Sequence, residues 1–204
     1  MTDQILQPQQ IQPLRRQGPF LVAGLGNPGR KYEHNRHNVG FMLLNRLSNK
    51  LGESFGQVQS KALVAKTTYL GERVILVKPQ TYMNSSGSAM SSLVRFYQVP
   101  LENILVAYDD VDLPLGTLRL RPSGGSAGQK GMESIITRLG TEDFPRLRIG
   151  TGRPPGRMEA ANYVLQDFPP DEYDLLNETL DRAVDAVLTF LQHGLERAMN
   201  SFNG

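Results

Sequence analysis

Two of the chain's three histidines, His34 and His37, stand three residues apart in the run Tyr32-Glu33-His34-Asn35-Arg36-His37-Asn38. An imidazole changes charge near neutral pH and can take a proton from water, so His37 is a candidate general base. The residues leave a second role open to it, that of an exposed or helix-capping histidine. A metal centre would need carboxylate or thiolate ligands at suitable spacing beside the histidines. The chain has no cysteine, and Glu33 is the one acid close by, so no metal site is expected here. The missing cysteines also remove thiol nucleophiles, iron–sulfur clusters and disulfide scaffolds.

A second cluster, Tyr108-Asp109-Asp110-Val111-Asp112-Leu113-Pro114, follows the apolar run ILVAY. Acids at the carboxyl end of a strand can orient a histidine or bind a metal, and they also serve in turns and caps. Three acids in four residues are more than a turn requires. A third, Lys78-Pro79-Gln80-Thr81-Tyr82-Met83-Asn84-Ser85-Ser86-Gly87, offers Asn84, which can donate and accept toward a carbonyl or a water, or cap the helix that follows. Gly24-Leu25-Gly26-Asn27-Pro28-Gly29 matches the G-x-G-x-x-G pattern of dinucleotide sites. Pro28, however, removes an N–H, and the strands that follow carry no acid at their ends. The segment reads as a tight turn presenting Asn27. The last cluster, residues 122–131 (PSGGSAGQKG), is not a Walker loop, because Gly131 follows Lys130. A Gly/Ser loop with one lysine still suits a phosphate backbone.

These segments need strand ends and helix starts to hold them. Residues 20–24, 104–108 and 146–150 read as buried strands, and 117–121 as a more exposed one. Residues 58–68 and 73–77 read as two strands joined at Gly71. Helical spacing marks residues 39–51, the stretch from Met90 to Tyr97, residues 128–139, and one last helix over about 172–199. The alternation predicts an α/β fold, a single domain with a mixed, mostly parallel twisted sheet flanked by helices. Residues 1–18 are Gln-rich with two prolines and are expected to form a flexible extension, with the domain over 19–204.

The formal charge of +2 hides a partition. Residues 1–158 hold 20 basic and 11 acidic side chains, whereas 159–204 hold 2 basic and 9 acidic. Eight of the basic residues lie in 119–158 against three acids, an RNA-directed surface if they share a face. The C-terminal acids are then expected on solvent or rim surface. No apolar run approaches the ~18 residues of a membrane span, and no secretory signal is evident. A cytoplasmic monomer is expected.

Taken together, VAGLGNPGRKYEHNRHNVGF, VKPQTYMNSSG, ILVAYDDVDLPLG, GGSAGQKGMESII and PRLRIGTGRP resemble, in order, the blocks of bacterial-type peptidyl-tRNA hydrolases. The resemblance runs from about Phe20 to Phe168 and more loosely through the last helix. It implies a cofactor-free α/β enzyme that hydrolyses the ester between a peptide and the 3′ ribose of tRNA, gripping the acceptor arm and CCA end. The family's catalytic histidine falls on His37 and its orienting aspartate on Asp109. Its site asparagines fall on Asn27 and Asn84, and its aromatic substrate contacts on Tyr32 and Tyr82. Asn84 is the candidate for reading the first peptide bond. One departure stands out: Gln129-Lys130 replaces the common His-Asn, so Lys130 takes a substrate-contact position as a cation. The competing expectations are a non-hydrolytic RNA-binding relative, like the plant organelle splicing factors of this fold, and a nucleotide-dependent oxidoreductase resting on GLGNPG alone.

Overall fold

A run of five apolar or small residues with no polar alternation fits a strand covered on both faces. β1 (Phe20–Gly24) is such a strand, with every residue buried. In this computed structural model, which describes residues 18–204, β1 lies at the centre of a seven-stranded sheet. It runs parallel to β4 (Glu72–Pro79) on one side and β5 (Ile104–Asp110) on the other, and β5 runs parallel to β7 (Arg146–Gly150). β2 (Gln57–Gln59), β3 (Ala62–Tyr69) and β6 (Leu118–Arg121) add antiparallel edges, giving the order β2-β3-β4-β1-β5-β7-β6. Only β3 and β6 run against the other five strands.

Successive side chains of a strand point to opposite faces, and β1 divides accordingly. Phe20 and Val22 enter a core with α1 (Val39–Lys50), α5 (Tyr173–His193) and α6 (Leu195–Phe202). Leu21 and Ala23 enter a second core with α2 (Ser86–Tyr97) and α3 (Lys130–Leu139). One short turn of helix, α4 (Ala160–Tyr163), follows β7. The chain leaves β1 toward β4 but leaves β5 toward β7, so the carboxyl ends of β1 and β5 form a topological switch point, where α/β sheets bind ligands.

Two expectations need correction. Residues 58–68 are not one strand but the hairpin of β2 and β3, which turns at Ser60 (φ 48°) and Lys61 (φ 62°). Such a turn usually announces itself with Asn or Gly. The last helix breaks at Gly194 (φ 91°, ψ 172°), from which α6 runs back over β6, with Asn203 bonding the backbone of Leu120. Most of residues 1–18, the expected extension, lies outside the described residues. Among the described residues no helix is long and apolar enough to cross a membrane.

Candidate active site

His37 occupies a single 3-10 turn, Arg36–Asn38, that runs directly into α1. Gly24, the first glycine of GLGNPG, and Gly40 of α1 set how close that helix start comes to the sheet. A Cβ on Gly24 would lie 2.1 Å from the Gly40 carbonyl oxygen, and one on Gly40 would lie 2.4 Å from the Leu25 nitrogen and 2.5 Å from the Ala107 carbonyl oxygen. Side chains at either position would push α1 off β1 and β5. Asn38 then ties the two segments together: its Oδ1 accepts from the Asn27 N–H (2.8 Å) and its Nδ2 donates to the Asn27 carbonyl (2.9 Å). The G-x-G-x-x-G segment, read from the sequence as a tight turn presenting Asn27, also packs: its first glycine lets α1 close on the sheet.

From the other side, residues 160–168 clamp the same turn. The His37 N–H donates to the Val164 carbonyl (2.8 Å) and the Arg36 N–H to that of Gln166 (3.0 Å). The buried Arg36 guanidinium lies against the Tyr163 and Phe168 rings, at 4.4 and 4.7 Å from their centroids. It also donates to the Thr151 carbonyl and pairs with Glu172 at 2.7 Å.

The imidazole points to the end of β5, where His37 Nδ1 lies 2.8 Å from Asp109 Oδ2. Asp109 is almost wholly buried, and the His37 side chain is 13 % exposed. A carboxylate only accepts, so the Nδ1 proton is fixed in this bond and the Nε2 lone pair is left free. The other oxygen, Asp109 Oδ1, accepts from Gln129 Nε2 at 3.0 Å. Gln129 is also the N-cap of α3, its side-chain oxygen accepting from the Met132 N–H at 2.8 Å.

The three acids of the β5 end divide their work. Asp109 serves His37, Asp110 takes Arg148 and the Asp112 N–H, and Asp112 pairs with Arg153. Adjacent positions on a strand face opposite ways, which is why Asp109 and Asp110 have different partners. Tyr108 is buried beside them, and loss of solvent pushes its phenol up from the ordinary 10.0.

His37 and Asp109 open on a cavity of about 530 Å³ that Asn27, Tyr82, Asn84 and Lys130 also line, with an apolar wall of Val111, Ala161, Val164 and Leu165. Asn27 is held by its Oδ1, which accepts from the Met83 N–H at 2.9 Å. Asn84 is exposed and does not cap α2, whose N-cap is Ser85. A polar groove of about 1070 Å³ adjoins the cavity, shares Tyr82, Asn84 and Lys130 with it, and adds Lys61 and Arg138. Lys130 Nζ sits 3.1 Å from Glu133. Of the expected site residues, Tyr32 alone lies outside both spaces; Lys31 Nζ sits 4.7 Å over its ring.

The expected arginine surface of residues 119–158 is thinner than its count. Arg146 is buried under the Gly/Ser loop, donating to the carbonyls of Gly124, Gly125 and Glu142, and burial pushes its guanidinium below the ordinary arginine range. Arg148 and Arg153 are paired with acids. Asp181 and Asp185 are exposed, as expected of the C-terminal acids, and pair with Arg46 and Lys50 of α1. Sequence reasoning missed two parts of the site. Residues 160–168 hold the site through the Val164 and Gln166 carbonyls and the Tyr163 and Phe168 rings, and backbone acceptors leave no mark in residue type. Gln129 stands out in the sequence as part of the Gln129-Lys130 departure, with nothing there to tie it to Asp109.

The fold and the site define an α/β domain with a histidine–aspartate pair opening on a cavity at the carboxyl edge of its parallel strands. The peptidyl-tRNA hydrolase family model matches residues 21–204. A peptidyl-tRNA hydrolase of Thermoanaerobacter sp. (strain X514) is 49% identical over 185 residues, covering 91% of this chain and 100% of the relative. The chloroplastic peptidyl-tRNA hydrolase of Arabidopsis thaliana is 47% identical over 186 residues, 91% of this chain and 65% of its own. The crystal structure of peptidyl-tRNA hydrolase from Acinetobacter baumannii superposes with a TM-score of 0.85 at 33% identity, covering 91% of this chain and 96% of that one. The chain belongs to the peptidyl-tRNA hydrolase family. The splicing-factor-like reading is not favoured.

Proposed function

We propose that this protein hydrolyses the ester between the peptide and the 3′ ribose of peptidyl-tRNA, with His37 as general base. The observation that carries the reading is the His37–Asp109 bond of 2.8 Å at the mouth of a cavity where an apolar wall meets a polar, cationic groove. Those two spaces match the two halves of the substrate. The peptide lies along Val164, Leu165 and Val111, and the nucleotide end lies toward Lys130, Lys61 and Arg138.

His37 Nε2 takes a proton from water as the water oxygen bonds to the ester carbonyl carbon, a step worth about 10²–10⁴-fold. Asp109 holds the imidazole in the required tautomer and stabilises the imidazolium. With its Oδ1 engaged by the Met83 N–H, Asn27 turns its NH₂, which has no partner among the described residues, toward the developing oxyanion. Collapse of the tetrahedral intermediate releases the ribose 3′ oxygen, which recovers the proton from His37. Asn84, exposed at the junction of the two spaces, pairs with the peptide backbone, and Tyr82, 66% exposed beside it, offers a ring face to the terminal base. Lys130 meets a phosphate. Every group named comes from one chain, so a monomer suffices, acting in the cytoplasm where translation leaves its substrate.

The test is release of free peptide from purified peptidyl-tRNA without added metal or nucleotide. His37→Ala is expected to lower turnover by about 10²–10⁴-fold while tRNA retention on a filter stays near wild type. Full turnover by that variant would remove His37 from the mechanism.

A further inference from the structure

We infer that Gln129 is a positioning residue for the base, acting through Asp109 and joining the substrate-facing loop to the catalytic pair. The inference rests on the reading of His37 as the base.

The geometry asks two opposite things of one planar group. Asp109 Oδ2 is used by His37, so its remaining oxygen needs a donor if the carboxylate is not to rotate. The first turn of α3 needs an acceptor for the Met132 N–H. The Gln129 carboxamide supplies both, with Nε2 to Asp109 Oδ1 at 3.0 Å and Oε1 to Met132 N at 2.8 Å. Because each end has a partner, the amide cannot flip without setting donor against donor at the helix start and acceptor against acceptor at Asp109. An ordinary N-cap such as Ser or Asp would serve α3 just as well. The longer amide is required only because Asp109 lies beyond the cap.

Among the described residues that line the cavity, the other charged groups have partners of their own: Asp110 with Arg148, Asp112 with Arg153, Lys130 with Glu133. An amide also does not titrate, so the donor that Gln129 offers Asp109 is present at every pH. Gln129 sits between Gly128 and Lys130, both of which line the cavity. Substrate settling on that loop therefore presses on the residue that orients the catalytic pair.

Gln129→Glu separates the two duties. The carboxylate still accepts from the Met132 N–H and suits a helix N-terminus, but it cannot donate to Asp109 when ionised. The variant should keep the cap of α3 and its KM, while kcat falls about 10- to 100-fold. A second negative charge beside Asp109 favours the imidazolium, so the acidic limb of the pH–rate profile should move to higher pH. The midpoint of the His37 ring signals, followed by NMR in the substrate-free protein, should rise with it. Gln129→Met, which loses both bonds, should show the lost kcat and a lowered melting temperature.

Unchanged kcat, pH profile and ring titration in Gln129→Glu would overturn the inference. So would a kcat loss that appears only in Gln129→Met and tracks its melting temperature, because Gln129 would then be a helix cap alone. His37→Ala assayed in parallel separates this from failure of the base reading: full turnover there rejects the base, whereas the ring titration tests Gln129 without any turnover.

Discussion

Asp109→Asn replaces one oxygen by NH₂ and poses a counting problem that the surrounding hydrogen bonds cannot solve. In the native site Asp109 accepts twice, from His37 Nδ1 at 2.8 Å and from Gln129 Nε2 at 3.0 Å. The asparagine amide has one acceptor and one donor end. If its oxygen faces Gln129, its NH₂ faces Nδ1, the imidazole proton moves to Nε2, and the base is blocked. If its oxygen faces His37, two NH₂ groups meet, and turning Gln129 over only moves the clash to the Met132 N–H. The first arrangement abolishes the base, and a tautomer swap of this kind in a serine-protease triad costs about 10⁴-fold. The second keeps the base and loses its positioning. A mixture of the two should place the loss of kcat at about 10²–10⁴-fold, with KM nearly unchanged, in the peptide-release assay. Asp109→Asn combined with Gln129→Glu restores the pairing. The amide introduced at the strand end then donates to the carboxylate introduced at the helix cap, so the bond runs in the reverse direction and the net charge of the pair is kept. The double variant should recover at least about 10-fold over Asp109→Asn, a coupling near 1.4 kcal/mol that lies within the range for contacting residues. A single variant within about threefold of wild type, or a double no better than the single, would refute the reasoning.

Gly40→Ala should lower stability by about 2 kcal/mol in urea unfolding, the scale of overpacking against rigid backbone, and should lower kcat as well, because the displaced helix carries His37. Loss of neither would mean that α1 can shift without cost. Lys130→Asn should reduce the slope of log tRNA affinity against log salt by about one, as expected when a single phosphate contact is removed. An unchanged slope would take Lys130 off the RNA.

Strands β1 and β5 are legible in the sequence because central parallel strands show as unbroken apolar runs, and the segments starting at Gly24, Lys78 and Tyr108 because each follows such a run. The hairpin at Ser60 and Lys61 is not, since neither residue type advertises positive φ. Arg146 misleads for a related reason: composition counts a guanidinium as surface charge, yet here it fills the carbonyl-lined underside of the Gly/Ser loop. The acidic cluster falls between these cases. Period-two alternation can separate Asp109 from Asp110, but their partners come from distant segments that only the folded chain brings near. Gln129 lies deepest, because its second bond exists only once α3 has docked against the end of β5.

The His37–Asp109 pair is held in register only because several backbone segments share one origin at the switch point. His37 is the second residue of a 3-10 turn whose next neighbours are Asn38, locked to Asn27, and Val39, the first residue of α1. Asn27 in turn holds the Met83 N–H, so the turn that carries Asn84 is indexed to the same point. Asp109 belongs to β5, paired with β1 through Gly24↔Ala107, and the Leu25 N–H donates to the Ala107 carbonyl at 2.9 Å. That carbonyl is the one a Cβ on Gly40 would meet. The backbone route from His37 to Asp109 therefore runs through the contact of Gly40 with Ala107, with Gly24 packed against the same glycine, and through no flexible side chain. A proposed base that must meet its carboxylate within hydrogen-bond distance gains most from such a route, and Gly24 and Gly40 serve it without lining the cavity.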